Sequence, residues 1–544
     1  MAATLSTPAL PRLPRFVEWF VPLFVVCVGG LWMLRERQYF LVDDAYITFR
    51  YAENLVRGHG LVWNAGVPLE GYTSLLWVVL LSGAAALGLG LTVPAVVGSL
   101  GFALATVELT RRISRRLDPD ASWLVHLLPG LLLASIPSFC HAATSGMEGT
   151  CFGFWVLLAM DRLVRGRSDP RARLHAALWF SLAYLTRPEG AMVAALLFVV
   201  EAAQLDGPWR ARVRALLPAM SIVGVVIVAQ VAVRLAYYGQ PLPNTFYAKV
   251  IFGKASILRG AAHIAGFVLA GGWLAFPGLF ELDRETPPRP LWVHGYVLFG
   301  VYLVYLLIVG GDHPFWNRFY MPLLPMPVVA TSRVVVRWGA SLAARLGRAA
   351  AFRGPGGVLA SGALAVAVWF SAVPFAEPNM PVVGSVDPSL KQLILAVDRF
   401  FREEVPKDSF VAVAAVGYVG YRNLELFILD IWGLNDEHIA HLDVAPTVKF
   451  GHDKVDLIYV VTQKPDYIYA LFPGVPPPLL GYDVCWPSDY APAGVYRRNY
   501  PLSPGEAHLG VPGARLRHLP PPPPCRPTAL AKALFAAAKA AQKP

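Results

Sequence analysis

The chain has 544 residues, of which 56% are hydrophobic and only 15% charged, with a formal net charge of +11 and a mean hydropathy of +0.49. A charged fraction so far below the ~25% of soluble domains excludes an ordinary soluble protein and points to a polytopic helical membrane protein. The positive charge lies in short arginine-rich loops between apolar runs, so it reads as membrane orientation and not as a nucleic-acid surface.

In chain order, residues 1–15 are short and basic, and Phe16–Leu34 is the first apolar run. No small-residue cleavage site follows it, so it is expected to stay as an anchor with its basic start in the cytoplasm. The next stretch, 35–77, is a polar loop on the outer side. It carries Asp43, Asp44, Arg50, Glu53, Arg57, His59 and Glu70. Leu75–Leu89 and Val93–Leu109 both look apolar, yet only one full crossing keeps the arginine cluster at Arg111–Arg116 inside. Val93–Leu109 is the expected crossing, with the other segment half-inserted or interfacial.

Further spans are expected at Trp123–Phe139, Gly149–Leu163, Leu174–Leu185, Gly190–Ala203, Leu216–Ala236, Ala261–Leu279, Leu291–Val309, Met321–Val336 and Gly357–Phe375. Each approaches the ~20 residues that a crossing helix needs, giving about eleven crossings, N-terminus in and C-terminus out. Short polar motifs fall on the outer side between them: T-S-G-M-E-G at Thr144, T-R-P-E-G at Thr186, Y-Y-G-Q-P-L-P-N-T-F-Y-A-K at Tyr237 and G-G-D-H-P-F-W-N-R-F-Y at Gly310.

The composition changes after Phe375. Leu390–Phe401 has helical spacing, while Phe410–Val416, Leu426–Asp430, Leu457–Val461 and Asp466–Tyr469 read as strands. The expected organisation is a transmembrane module at 1–375, an extracytoplasmic α/β domain at 376–500, and a Pro-rich linker with an Ala/Lys-rich tail at 501–544. Among the five cysteines, Cys485 and Cys525 lie in the outer C-terminal part, where a disulfide is possible but not dictated.

Paired carboxylates such as Asp43 and Asp44 have three uses at a membrane face. One can be a general base, the pair can hold a divalent cation, or both are solvated charges. Arg50 and Arg57 share a helical face with Glu53 between them, which fits either self-paired charges or anion binding. Arg187 sits at a predicted helix break beside Pro188 and needs a partner, for which Glu189 or a phosphate would serve. Glu148 opens a span, where a carboxylate meets the positive end of the helix dipole. Asn244, Tyr247 and Lys249 follow two prolines. Asp312, His313, Asn317 and Arg318 crowd among aromatic residues, an arrangement that suits a sugar and equally an interfacial aromatic belt. No cysteine–histidine metal spacing is present, so no cofactor is required, although a divalent cation at Asp43/Asp44 is possible.

Taken together, D-D-A-Y-I-T-F-R-Y-A-E-N-L, G-L-V-W-N-A-G-V-P-L-E-G-Y-T-S-L-L-W, T-R-P-E-G, Y-G-Q-P-L-P-N-T-F-Y-A-K, G-G-D, R-F-Y-M-P-L-L-P, I-W-G-L-N-D-E-H-I-A and K-P-D-Y resemble membrane glycosyltransferases of the GT-C fold. The likeness is to the terminal β-(1→2)-arabinofuranosyltransferases and runs from about Asp43 to Asp466. The resemblance implies a polyprenyl-phosphate sugar donor, an acceptor glycan or glycolipid of the cell envelope, and an active site facing outward from the cytoplasmic membrane. It implies an acidic base in the first outer loop, Asp44 or Asp43, with Asp44 slightly favoured. Arg187, Arg318, Lys249 and Arg50 are the expected donor-phosphate contacts. Glu70, Tyr72, Glu148, Glu189, Asn244, Tyr247, Asp312 and His313 are the expected substrate contacts. The rival reading is a transporter or flippase of a lipid-linked substrate, which would share the basic residues but need no base. The inverted repeats common in transporters are not evident.

Overall fold

The structure, a computed structural model, describes residues 15–36, 41–284, 289–311, 317–348, 355–376, 388–446, 453–470, 482–486 and 494–499. By contacts the chain divides into two units. One comprises Met1–Tyr39, Val96–Ile227 and Gly260–Met380; the other comprises Phe40–Ala95, Val228–Arg259 and Pro381–Pro544. The sequence suggests boundaries near 375 and 500; by contacts the polar loop that carries the aspartates groups with the C-terminal segments.

The first unit is helical. Its core gathers fully buried side chains such as Phe152, Phe180, Val193, Leu197 and Trp292. The helices Gly149–Arg165 and Pro170–Thr186 pack along one another. The second of these starts on an N-cap, Asp169, whose carboxylate accepts from the Arg171 amide at 3.1 Å, with Pro170 at the first helical position. It ends at Arg187, which is held extended at φ −153° and ψ 137° because the residue before a proline is barred from the helical region. Pro188 then opens the helix Glu189–Gln204.

Among the described residues, three helices are long and apolar enough to cross a membrane: Thr92–Leu117, Trp209–Tyr238 and Pro290–Val309. Two bent pairs raise the number to five. Trp123–Ala134 meets Pro137–Ala143 at 70°, where Pro137 restarts the helix, and Lys254–Leu269 meets Gly272–Leu282 at 77°, where Gly271 takes a φ of 110°. This is fewer than the expected crossings. Gly149–Arg165 and Glu189–Gln204 have 17 and 16 residues, and at 1.5 Å per residue they fall short of a ~30 Å hydrocarbon core. The two runs before Arg111 differ plainly. Leu75–Ala86 has 12 residues, too few to cross, whereas Thr92–Leu117 has 26.

Among the described residues of the second unit, five strands form a mixed sheet in the order β2-β1-β3-β5-β4. They are β1 Phe410–Val413, β2 Phe427–Asp430, β3 Tyr467–Ala470, β4 Tyr482–Trp486 and β5 Gly494–Arg498. β1 runs parallel to β2 and β3, and β5 is antiparallel to both β3 and β4. Leu457–Val461 corrects the sequence reading: it is helical, within Leu457–Thr462. Asp456 caps this helix by accepting from the Tyr459 amide at 2.8 Å, a local bond that overrides the β-branched composition. The β4 and β5 strands were not foreseen.

The helix Asp43–Val56 packs against the helix Val416–Arg422. Two glycines permit the approach: a methyl on Gly417 would collide with the Asp43 backbone, and one on Gly420 would lie 2.5 Å from the Trp63 ring. Arg50 lies buried beneath this contact, stacked on Trp63 at 4.7 Å. Its Nε donates to the Trp63 carbonyl at 2.8 Å. Nη1 donates to the Gly420 and Asn423 carbonyls at 2.6 and 3.1 Å, and Nη2 to the Leu426 carbonyl at 2.8 Å and Asn64 Oδ1 at 3.3 Å. Asn64 also exchanges two hydrogen bonds with the backbone of Ile428, closing the outer edge of β2 as a neighbouring strand would. Replacing Arg50 by Lys keeps the charge but not the planar fork, so it is expected to cost about 3 kcal/mol or more. Thermal unfolding of the purified chain measures this loss.

Candidate functional site

The second unit separates the twin aspartates. Asp43 is the first residue of its helix, and its two oxygens accept from the backbone amides of Gly417 (2.9 Å) and Tyr418 (2.8 Å), at the start of the Val416–Arg422 helix. Burial of the carboxylate pushes its pKa up to about 6, only partly offset by these two amides. Asp44 points elsewhere. Its side chain is 22% exposed, and Oδ2 lies 3.5 Å from Lys249 Nζ, itself 31% exposed. A cation at the aspartate pair would therefore have to draw on Asp44. Among the described residues, no group of three or more His, Cys, Asp or Glu side chains could hold a metal ion.

Lys249 ends the short helix Asn244–Lys249. Asn244 anchors its other end, donating through Nδ2 to the carbonyls of Gly433 and Leu434 at 2.9 and 3.0 Å. Tyr247 stacks on His441 at 4.4 Å. Glu70 forms a buried two-pronged pair with Arg234 at 2.7 and 3.0 Å, and the Tyr72 hydroxyl meets that of Tyr238 at 3.2 Å. Asn244, Glu70 and Arg50 thus fasten the loop and the Asn244–Lys249 helix within the protein. Arg50 in particular has no N–H left for a phosphate. Sequence reading missed Arg234, whose signal was an arginine inside the apolar run Leu216–Ala236.

In the first unit, Arg187 binds Glu148 through Nη1, lies 3.1 Å from Glu189 through Nη2, and stacks over Phe319 at 4.4 Å. Three helix ends meet here. Glu148 and Glu189 lie at the starts of Gly149–Arg165 and Glu189–Gln204, and Arg187 lies at the end of Pro170–Thr186, each with the charge that its helix dipole favours. Arg318 also flanks Phe319, at 5.6 Å, and its Nη1 lies 3.0 Å from Met147 Sδ. Asp312 and His313 lie outside the described residues.

Comparisons with known proteins bear on both units. A family model described as a domain of unknown function, DUF8728, matches residues 388–509. The terminal β-(1→2)-arabinofuranosyltransferase of Mycobacterium tuberculosis is 29% identical over 256 residues, 44% of this chain and 38% of that protein. The protein of the same name from Corynebacterium glutamicum is 29% identical over 382 residues, 59% of this chain and 52% of that one. The chain therefore spans about half or less of the length of these relatives. The crystal structure of ArnT from Cupriavidus metallidurans bound to undecaprenyl phosphate superposes with a TM-score of 0.58 at 14% identity, covering 89% of this chain and 98% of that one.

Burial also acts on Asp430, whose carboxylate accepts from the Trp432 and Asn435 amides yet is pushed up to about 7. With folded values above the ordinary 3.8, Asp43 and Asp430 hold protons in the folded state that the unfolded chain has released. Their contribution to stability is full below pH ~4 and declines as the pH rises from there through 6 to 7. Asp430→Asn is expected to flatten this part of the melting-temperature profile between pH 4 and 7.

In fold the chain is similar to ArnT, and in sequence it is similar to the terminal β-(1→2)-arabinofuranosyltransferases.

Proposed function

We propose that this protein transfers a glycosyl residue, with arabinofuranosyl the first candidate, from a polyprenyl-phosphate donor to a cell-envelope glycan or glycolipid. The transfer takes place on the outer face of the cytoplasmic membrane, with the N-terminus inside and the C-terminus outside. Named relatives and the shared GT-C fold support this reading. The observation that carries it is the division of labour between adjacent aspartates: Asp43 fastened to backbone amides, Asp44 partly exposed beside Lys249.

Asp44 acts as the general base. It takes the proton of the acceptor hydroxyl as that oxygen bonds to the anomeric carbon, while the bond from that carbon to the phosphate oxygen breaks. The electron pair leaves with the polyprenyl phosphate, and attack from the opposite face inverts the anomeric centre. Lys249 pairs with Asp44 and is a contact for the departing phosphate. Within the first unit, Arg318 is the further cation proposed for an anionic head group.

Asp44→Asn should lower transfer by ~10²-fold or more with the protein still folded, measured with labelled polyprenyl-phosphoryl arabinose in membranes. Asp43→Asn should act through stability instead, because it loosens the Val416–Arg422 helix. Full transfer by Asp44→Asn would remove the proposed base. Movement of the donor across the bilayer without transfer would make the protein a flippase.

A further inference from the structure

The helix Pro290–Val309 packs against the helix Glu189–Gln204. It brings two tyrosines of an apolar segment to the Arg187 cluster. The Tyr305 hydroxyl donates to Glu189 Oε1 at 3.5 Å. The Tyr302 ring lies 5.5 Å from that of Tyr305, and its side chain is within electrostatic reach of both Glu189 and Arg187. Tyr302 is fully buried.

Three atoms of this cluster are buried with no hydrogen-bond partner among the described residues: Arg187 Nε, Glu189 Oε2 and the Tyr302 hydroxyl. Buried polar atoms are nearly always bonded, so a group of three needs an explanation. Their types differ. Arg187 Nε can only donate, Glu189 Oε2 can only accept, and the Tyr302 hydroxyl does both. Arg318 flanks the same Phe319 ring, so Glu148 and Glu189 face two cations and leave no net charge.

A phosphate only accepts hydrogen bonds and is itself negative. It would place an oxygen against Glu189 Oε2, which has no proton to give. Sugar hydroxyls each donate and accept, and they carry no charge. We propose that Arg187 Nε, Glu189 and Tyr302 form a recognition site for the hydroxyl groups of a sugar ring, with Arg187 serving to orient Glu189 and not to hold phosphate. The choice of a sugar over other polyols rests on the glycosyl-transfer reading above.

Tyr302→Phe removes one oxygen that bonds nothing in the described protein, so the fold should be kept; Glu189→Gln is the second variant. Thermal unfolding of the full chain in detergent is followed with methyl β-D-arabinofuranoside, methyl mannoside or inorganic phosphate. A glycoside should raise the midpoint of the wild type, and both variants should weaken its binding about 10-fold. No glycoside effect in the wild type, or an effect that both variants retain, would mean that the cluster holds only water and would overturn the proposal. A phosphate effect lost in both variants would overturn it equally.

Transfer assays with deoxygenated substrates name the source of the ring. A donor lacking the recognised hydroxyl should be penalised in the wild type and not further in Tyr302→Phe if the ring is the donor's. The same pattern with deoxygenated acceptors assigns it to the acceptor. Penalties that simply multiply with the Tyr302→Phe defect for every substrate would also sink the proposal. Glycoside binding without any transfer would count against the glycosyl-transfer reading alone.

Discussion

Every element around the twin aspartates depends on one buried cation. Arg50 places five N–H groups on five acceptors drawn from the first outer loop, the end of the Val416–Arg422 helix and the turn before β2. A guanidinium has no other way to survive full burial, because an unpaired charge in that position would be prohibitive. Two of its acceptors, the Gly420 and Asn423 carbonyls, belong to the C-terminal end of a helix, where positive charge is favoured. The loop and the sheet domain are therefore parts of one folded body. Polar chemistry joins them as firmly as apolar packing.

That fastening gives neighbouring residues different work. On a helix, consecutive side chains project about 100° apart, so Asp43 and Asp44 cannot face the same partner. Asp43 turns to the amides at the head of the Val416–Arg422 helix and caps them. Asp44 turns to Lys249. The short helix that carries Lys249 is itself pinned by Asn244, whose amide backbone bonds the Glu70 carbonyl at 2.9 Å while Glu70 grips Arg234. Lys249 thus meets Asp44 from a backbone held at several points.

The helical unit solves a different problem. An arginine and two glutamates at the ends of three helices would be intolerable in an apolar interior if isolated, and together they offset one another. Three polar atoms of this group have no hydrogen-bond partner among the described residues. A mixed set of donors and acceptors of this kind suits hydroxyl groups better than anions.

Length and hydropathy determined from sequence alone that this is a helical protein of membrane type followed by an α/β part, because those properties follow from the bilayer's need for apolar, self-bonded segments. The quoted motifs also marked the loop with the aspartates, the T-R-P-E-G break and the Asn244–Lys249 segment. What sequence could not decide was partnership. Arg50 and Arg187 look alike in a string, as charged residues in oily surroundings, and only distances after folding distinguish a cation bonded to four carbonyls and an amide oxygen from one paired with two glutamates. The same holds for Asp43 against Asp44, for Arg234 hidden in an apolar run, and for Leu457–Thr462, where a single capping carboxylate outweighed strand-like composition. Tertiary contact decided these, because a side chain's role is set by what faces it after folding.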